Sequence, residues 1–294
     1  IETVFGPVPS GIHLTADTRH GNDAAVAMLL VIATVSVILR MTSRFIASAG
    51  IRSDNLIMVF ALVSSLLCPS VRNLTRCFLG TAYGAGTHVW TLTIPKVLMI
   101  YKILFGYTFV YAAAVSSTKI SILFFYYRLF QKNSSLIFSV CLGLGGFLAA
   151  AYPIIVWTTM SKACQPTSFF WEQFTGADGI CPVDISNFFL ALGVINMIND
   201  ILVLLIPIPR IWKLNTVEPP GITRLLTRIN MNSVCVASTV RINYLTVFMN
   251  ATDVTYVMGP VFIWSSAEPS IGILSACMLT FPTLVRWPRR KATT

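Results

Sequence analysis

Four ionisable side chains stand in the middle of long apolar stretches: Lys119, Asp200, Arg241 and Glu268. A charge at the depth of a bilayer's centre costs roughly 2.5–3.5 kcal/mol even on the most lenient scale, so such residues face a helix-bundle interior or a wet cavity. Two bases and two acids admit three kinds of chemistry. They neutralise one another and fix helix register; or they anchor the polar part of a small lipophilic ligand; or a desolvated Glu268 or Asp200 acts as a general acid on an alkene or epoxide. In the catalytic case Glu268 and Asp200 are the candidate acids, and Tyr107, Tyr111, Tyr244 and Trp264 are aromatics that would stabilise a developing cation. In the binding case Lys119, Asn196, Asn199, Arg241, Tyr244, Trp264 and Ser265 are the candidate ligand contacts, with Ser117 adding a hydroxyl nearby. Neither case calls for a metal or a cofactor. The three histidines, His13, His20 and His88, are expected outside the core, and the chain has no Cys-x-x-Cys and no aspartate-rich magnesium motif.

The elements that position these groups follow from hydropathy. With 55% hydrophobic residues, 11% charged residues and a mean hydropathy of +0.74, the 294-residue chain has too little polar surface for a soluble domain. A hydrocarbon core of about 30 Å takes roughly 20 residues of helix. Seven stretches supply it: about 24–46, 55–72, 103–126, 136–160, 184–207, 229–250 and 257–285. The second is the shortest, an apolar run from Leu56 to Cys68 followed by Pro69 and Arg72; it crosses if Arg72 snorkels into the headgroups. The expected architecture is all-α: one seven-helix transmembrane domain over 24–285, between a short irregular segment, 1–23, and a basic tail, 286–294.

Basic residues orient the bundle. Arg40, Arg44 and Arg52, then Arg128 and Lys132, then Arg210, Lys213, Arg224 and Arg228, then Arg286, Arg289, Arg290 and Lys291 place 13 of the 21 lysines and arginines on one side, which should be cytoplasmic. The N-terminus is then outside and the C-terminus inside. The net charge of +10 is accounted for by an anionic inner leaflet, with no nucleic-acid partner. On the outer side, Asn73 and Asn250 each begin a glycosylation sequon, and Cys164 and Cys181 bracket the loop between the fourth and fifth spans, where a disulfide would close a lid over the bundle mouth.

Spacing shows which faces look inward. Asn196 and Asp200 are four apart and share one helix face; Ser265, Glu268, Gly272 and Ser275 form a stripe on another. Gly145 with Ala149, and Gly146 with Ala150, have the small-xxx-small spacing of close helix packing. Pro269 removes a backbone donor beside Glu268, and Pro207 and Pro209 do so at the inner end of the fifth span.

Several segments then carry a resemblance: Thr118-Lys119-Ile120-Ser121 through Tyr126-Tyr127-Arg128-Leu129-Phe130; Asn199-Asp200 with Leu204 to Pro209 and Trp212-Lys213-Leu214; Trp264-Ser265 with Glu268, Gly272-Ile273 and Ala276-Cys277; and the loop bearing Cys164, Pro166, Phe170-Trp171 and Cys181. In order and over nearly the whole chain, they resemble the fungal rhodopsin-domain integral membrane proteins. That family includes receptor-like proteins and the membrane proteins of toxin clusters such as that for satratoxin. The resemblance implies either a place in a fungal specialised-metabolite pathway or a receptor-like sensor. Retinal chemistry is not implied, because the span 257–285 holds no lysine for a Schiff base.

Overall fold

The computed structural model describes residues 5–9, 14, 17–46, 83–130, 136–207 and 220–278. The expected second span, Asn73 and the basic tail lie outside the described residues. Within them the protein is helical: α1 (Arg19–Ile46), α2 (Ile94–Phe130), α3 (Leu136–Ser161), a single turn α4 (Phe169–Glu172), α5 (Ile185–Leu205), α6 (Pro220–Asn250) and α7 (Val254–Met278), with a 3₁₀ turn at Val89–Thr91. Among the described residues there is no strand, only two isolated bridges.

Of these helices α1, α2, α3 and α5 are long and apolar enough to cross a membrane. The bundle is apolar outside as well as in: Val31, Val35 and Ile38 on α1, Ile137, Val140 and Phe147 on α3, and Ile195 and Ile198 on α5 are exposed. Meanwhile Lys119, Asp200, Arg241 and Glu268 are buried. Large side chains that water would drive inward are turned outward, and charges that water would hold are turned in. Lipid is the solvent that fits this distribution.

Three helices begin at least five residues earlier than hydropathy alone predicts. Helix α2 starts at Ile94 rather than near 103, because the Thr93 carbonyl accepts from the Lys96 and Val97 amides and Pro95 sits in the first turn, where a missing N–H costs nothing. Lys96 and Lys102 face outward from these turns while Val97 and Ile100 are buried, so a sliding sum misses them. At about 1.5 Å per residue the helix is about 55 Å long and must project beyond the hydrocarbon. Helix α6 likewise begins at Pro220, with Arg224 and Arg228 in its added turns, and α1 at Arg19.

Helix α7 packs against α1, α6 and α2; α5 against α6, α3 and α2; and α2 against α3. Four helices, α2, α5, α6 and α7, therefore surround one interior region. At Gly145 an added Cβ would meet Leu123 and Ile206 at 3.5 and 3.6 Å, ordinary packing distances, and Ala149 is buried, so the Gly145/Ala149 stripe is a packed face. The parallel Gly146/Ala150 stripe is not: Ala150 is exposed and Gly146 has nothing within 4 Å.

One end of the bundle is stitched by polar contacts. The Thr18 hydroxyl donates to the Gly86 carbonyl (3.0 Å), the Gly86 amide to the Thr255 carbonyl (2.9 Å), and the Thr255 hydroxyl to the Thr87 carbonyl (2.8 Å). Gly86 has φ of +99°, which a side chain would strain, and a Cβ there would press on Thr18 and Arg19. His88 belongs to this layer. Expected outside the core, it is instead buried, bonded through Nδ1 to Asp253 Oδ2 and stacked on Tyr256. The same end carries the Cys164–Cys181 disulfide, which closes the α3–α5 connection as expected. Beneath it Tyr101, Phe105, Phe170 and Phe174 pack ring against ring.

Candidate functional site

All four buried charges meet, each brought by a different helix except that α2 also supplies an aromatic. Lys119 reaches from α2 to α5, where Nζ lies 3.0 Å from Asp200 Oδ1 and donates to the Asn196 carbonyl (3.0 Å) and to Asn196 Oδ1 (2.6 Å). Asn196 and Asp200 are four apart on α5, so one ammonium serves both. Asp200 Oδ2 accepts from the Ser238 hydroxyl of α6 at 2.9 Å.

The second pair is built between α6 and α7. Arg241 Nη1 lies 3.2 Å from Glu268 Oε2, and Arg241 Nε donates to Ser265 Oγ at 3.3 Å. Ser265 and Glu268 are three apart, so the guanidinium spans one turn of α7. Tyr111 of α2 donates its hydroxyl to Glu268 Oε2 at 2.6 Å, and its ring lies 4.4 Å from Arg241 Cζ in a cation–π contact.

Asn196 joins the two halves. Its Oδ1 accepts from Lys119 while its Nδ2 donates to Glu268 Oε1, and only this orientation of the amide satisfies both charges. With 2% of its surface exposed, Asn196 is enclosed, and the cluster is one continuous network of two cations, two anions and uncharged bridges.

Of the predicted site residues, the network gathers Lys119, Asn196, Asp200, Arg241, Ser265 and Glu268. Tyr244 and Trp264 stack on one another, centroids 6.4 Å apart, half-buried between α6 and α7, and among the described residues no hydrogen bond joins them to the charges. Tyr107 packs on Tyr111 and Phe262. Asn199 is buried, and its carboxamide oxygen has no hydrogen-bond partner among the described residues. Ser117 spends its hydroxyl on the carbonyls of Ala113 and Ala114. Asn250 is exposed at the end of α6. Sequence reasoning missed Ser238, which a search three residues before Arg241 would have found. It named Tyr111 as an aromatic and not as a donor, although Tyr111, Lys119 and Tyr126 follow one face of α2 at spacings of eight and seven.

A cavity of about 30 Å³, room for one or two waters, lies beside the network. Its polar wall is Lys119, Asp200 and Glu268; Ile122, Val203, Leu204 and Val234 make the apolar walls, and Tyr126 and Gly272 lie further along. Following each helix from the disulfide end, these residues come level with the charges or beyond them. The cavity therefore lies on the side away from the disulfide, not beneath the loop that it closes. Among the described residues no three of His, Cys, Asp and Glu gather as a metal would need.

Fold and site define a polytopic helical membrane protein with a buried charge network. The fungal rhodopsin domain matches residues 39–287, and the chain belongs to that family. Curated relatives include a polyenoic acids biosynthesis gene cluster protein of Metarhizium anisopliae, 23% identical over 91% of this chain and 74% of its own length. Fugralins biosynthesis cluster protein 2 of Gibberella zeae is 24% identical, and an SAT4 family membrane protein of Emericella nidulans is 26% identical. Each of those two alignments covers 69% of this chain and 51% of the relative, so the chain spans about half the length of these two. No solved structure matches the chain.

Proposed function

We propose that this protein acts in a fungal specialised-metabolite pathway as a seven-span membrane protein that binds a small lipophilic molecule against its buried charge network. The observation that carries the binding reading is the cavity whose polar wall is Lys119, Asp200 and Glu268 and whose other walls are mainly aliphatic, with Tyr126 among them. The pathway reading draws on the relatives, two of which are named for biosynthesis clusters. Binding fits this geometry better than acid catalysis. Glu268 takes donors from Tyr111, Asn196 and Arg241, so the site surrounds it as an acceptor and points no substrate at a carboxyl proton.

Deleting the gene tests the reading. The metabolite whose synthesis is encoded by its neighbouring genes should fall, with an intermediate accumulating. Unchanged metabolites with altered transcription of those genes would overturn the pathway role in favour of a receptor-like sensor.

Seven spans, with the N-terminus outside and the C-terminus in the cytosol, complete the proposal. Support comes from α1 and α2, which both begin at the stitched end, where Thr18 meets Gly86. The proposed second span, about 55–72, falls between these two helices in the sequence. Epitope tags at the N-terminus and after Lys291 should be reached from outside and from the cytosol respectively in intact cells. Both tags on one side would mean an even number of crossings.

A further inference from the structure

The cavity's polar wall has acceptors to spare and almost no donors. Lys119 has three N–H bonds and spends them on Asn196 O, Asn196 Oδ1 and Asp200 Oδ1. Thr118 spends its hydroxyl on the Ala114 carbonyl. A carboxylate, by contrast, offers about four lone-pair sites. Asp200 fills two of them, with Lys119 and Ser238. The charges also cancel: Lys119 and Arg241 against Asp200 and Glu268 leave no net positive charge on the wall. The Tyr126 hydroxyl, about two turns along α2, is the remaining polar group of the lining, and it can donate or accept.

Resting on the binding reading above, we infer that the cavity selects a neutral, hydrogen-bond-donating head group, an alcohol at the end of an apolar chain, and rejects the corresponding carboxylate. A hydroxyl fits the one-or-two-water space, donates to a free lone pair of Asp200, and takes a donor from Tyr126 or a retained water. An anionic head in the same place meets two carboxylates with every Lys119 donor already committed, and its desolvation is not repaid. The hydroxyl takes up that space, and the chain continues past Ile122, Val203, Leu204 and Val234, which part to admit it, toward the end away from the disulfide.

The test measures retention of tritiated dodecan-1-ol and tritiated dodecanoate, at equal free concentration and pH 8, on the purified detergent-solubilised protein. The alcohol should be retained at least about tenfold better than the acid, and Val234→Phe, which fills the cavity, should abolish the difference. Leu204→Phe on the facing helix serves the same purpose if Val234→Phe does not yield folded protein. Equal or stronger retention of dodecanoate that the filling variant still abolishes would overturn the head-group selection and leave the cavity as a binding site. Retention of neither probe, or retention that neither filling variant reduces, would remove the cavity itself and the binding reading with it.

Discussion

Glu268→Gln should sharply reduce the amount of folded protein, at an expected cost of about 3–5 kcal/mol. The reason is specific to Arg241. The substituted amide keeps a single carbonyl oxygen, so it accepts from Tyr111 or from Asn196 but not from both, and the guanidinium 3.2 Å away would lose its counter-ion inside a bundle that leaves Arg241 8% exposed. The measurement is the monodisperse fraction after detergent extraction, together with the unfolding midpoint. Adding Arg241→Met should recover most of the loss, since the pair is then removed as a unit rather than broken. Wild-type yield and midpoint for Glu268→Gln alone would mean that the pair does not hold these helices.

Lys119→Met should cost a similar amount, about 3–5 kcal/mol, tempered by the cavity, from which water can reach Asp200. Three hydrogen bonds go at once, two of them to Asn196. Lys119→Met with Asp200→Asn should restore folding, Ser238 continuing to donate to the side chain at that position. Combined with Glu268→Gln, the loss should be less than the sum of the two, because both changes release the same Asn196 amide. Strict additivity in that cycle would show that Asn196 does not couple the two pairs.

The charges were legible in the sequence because each interrupts an apolar run, and a helical period of 3.6 placed Asn196 with Asp200 and Ser265 with Glu268 before any coordinates. Partner choice was not. Nothing in spacing says that Lys119 takes Asp200 and Arg241 takes Glu268, since that depends on which helices adjoin across the bundle. Tyr244 and Trp264 illustrate the same limit. Their depth suits a pocket, but a turn of rotation sets them against each other instead. Helix ends failed for another reason: the first turns of α2 are amphipathic, those of α6 carry Arg224 and Arg228 in the sequence, and window averages are blind to a helix that leaves the hydrocarbon. The location of the cavity away from the disulfide was likewise beyond sequence, because it is set by volume left over between four helices.

Helices α6 and α7 fall outside the set that is apolar enough to cross a membrane unaided, and they carry Arg241 and Glu268. On the proposed seven-span topology these are the sixth and seventh segments to leave the ribosome. Each would enter the bilayer with a single mid-depth charge, at roughly 2.5–3.5 kcal/mol. Their closest opposite charges are on each other, so insertion is least costly when the two segments partition together as a hairpin. Biogenesis on that topology would have a commitment step: a nascent chain stopped after Asn250 would hold a guanidinium whose counter-ion has not yet been translated, and the arrival of α7 would supply it.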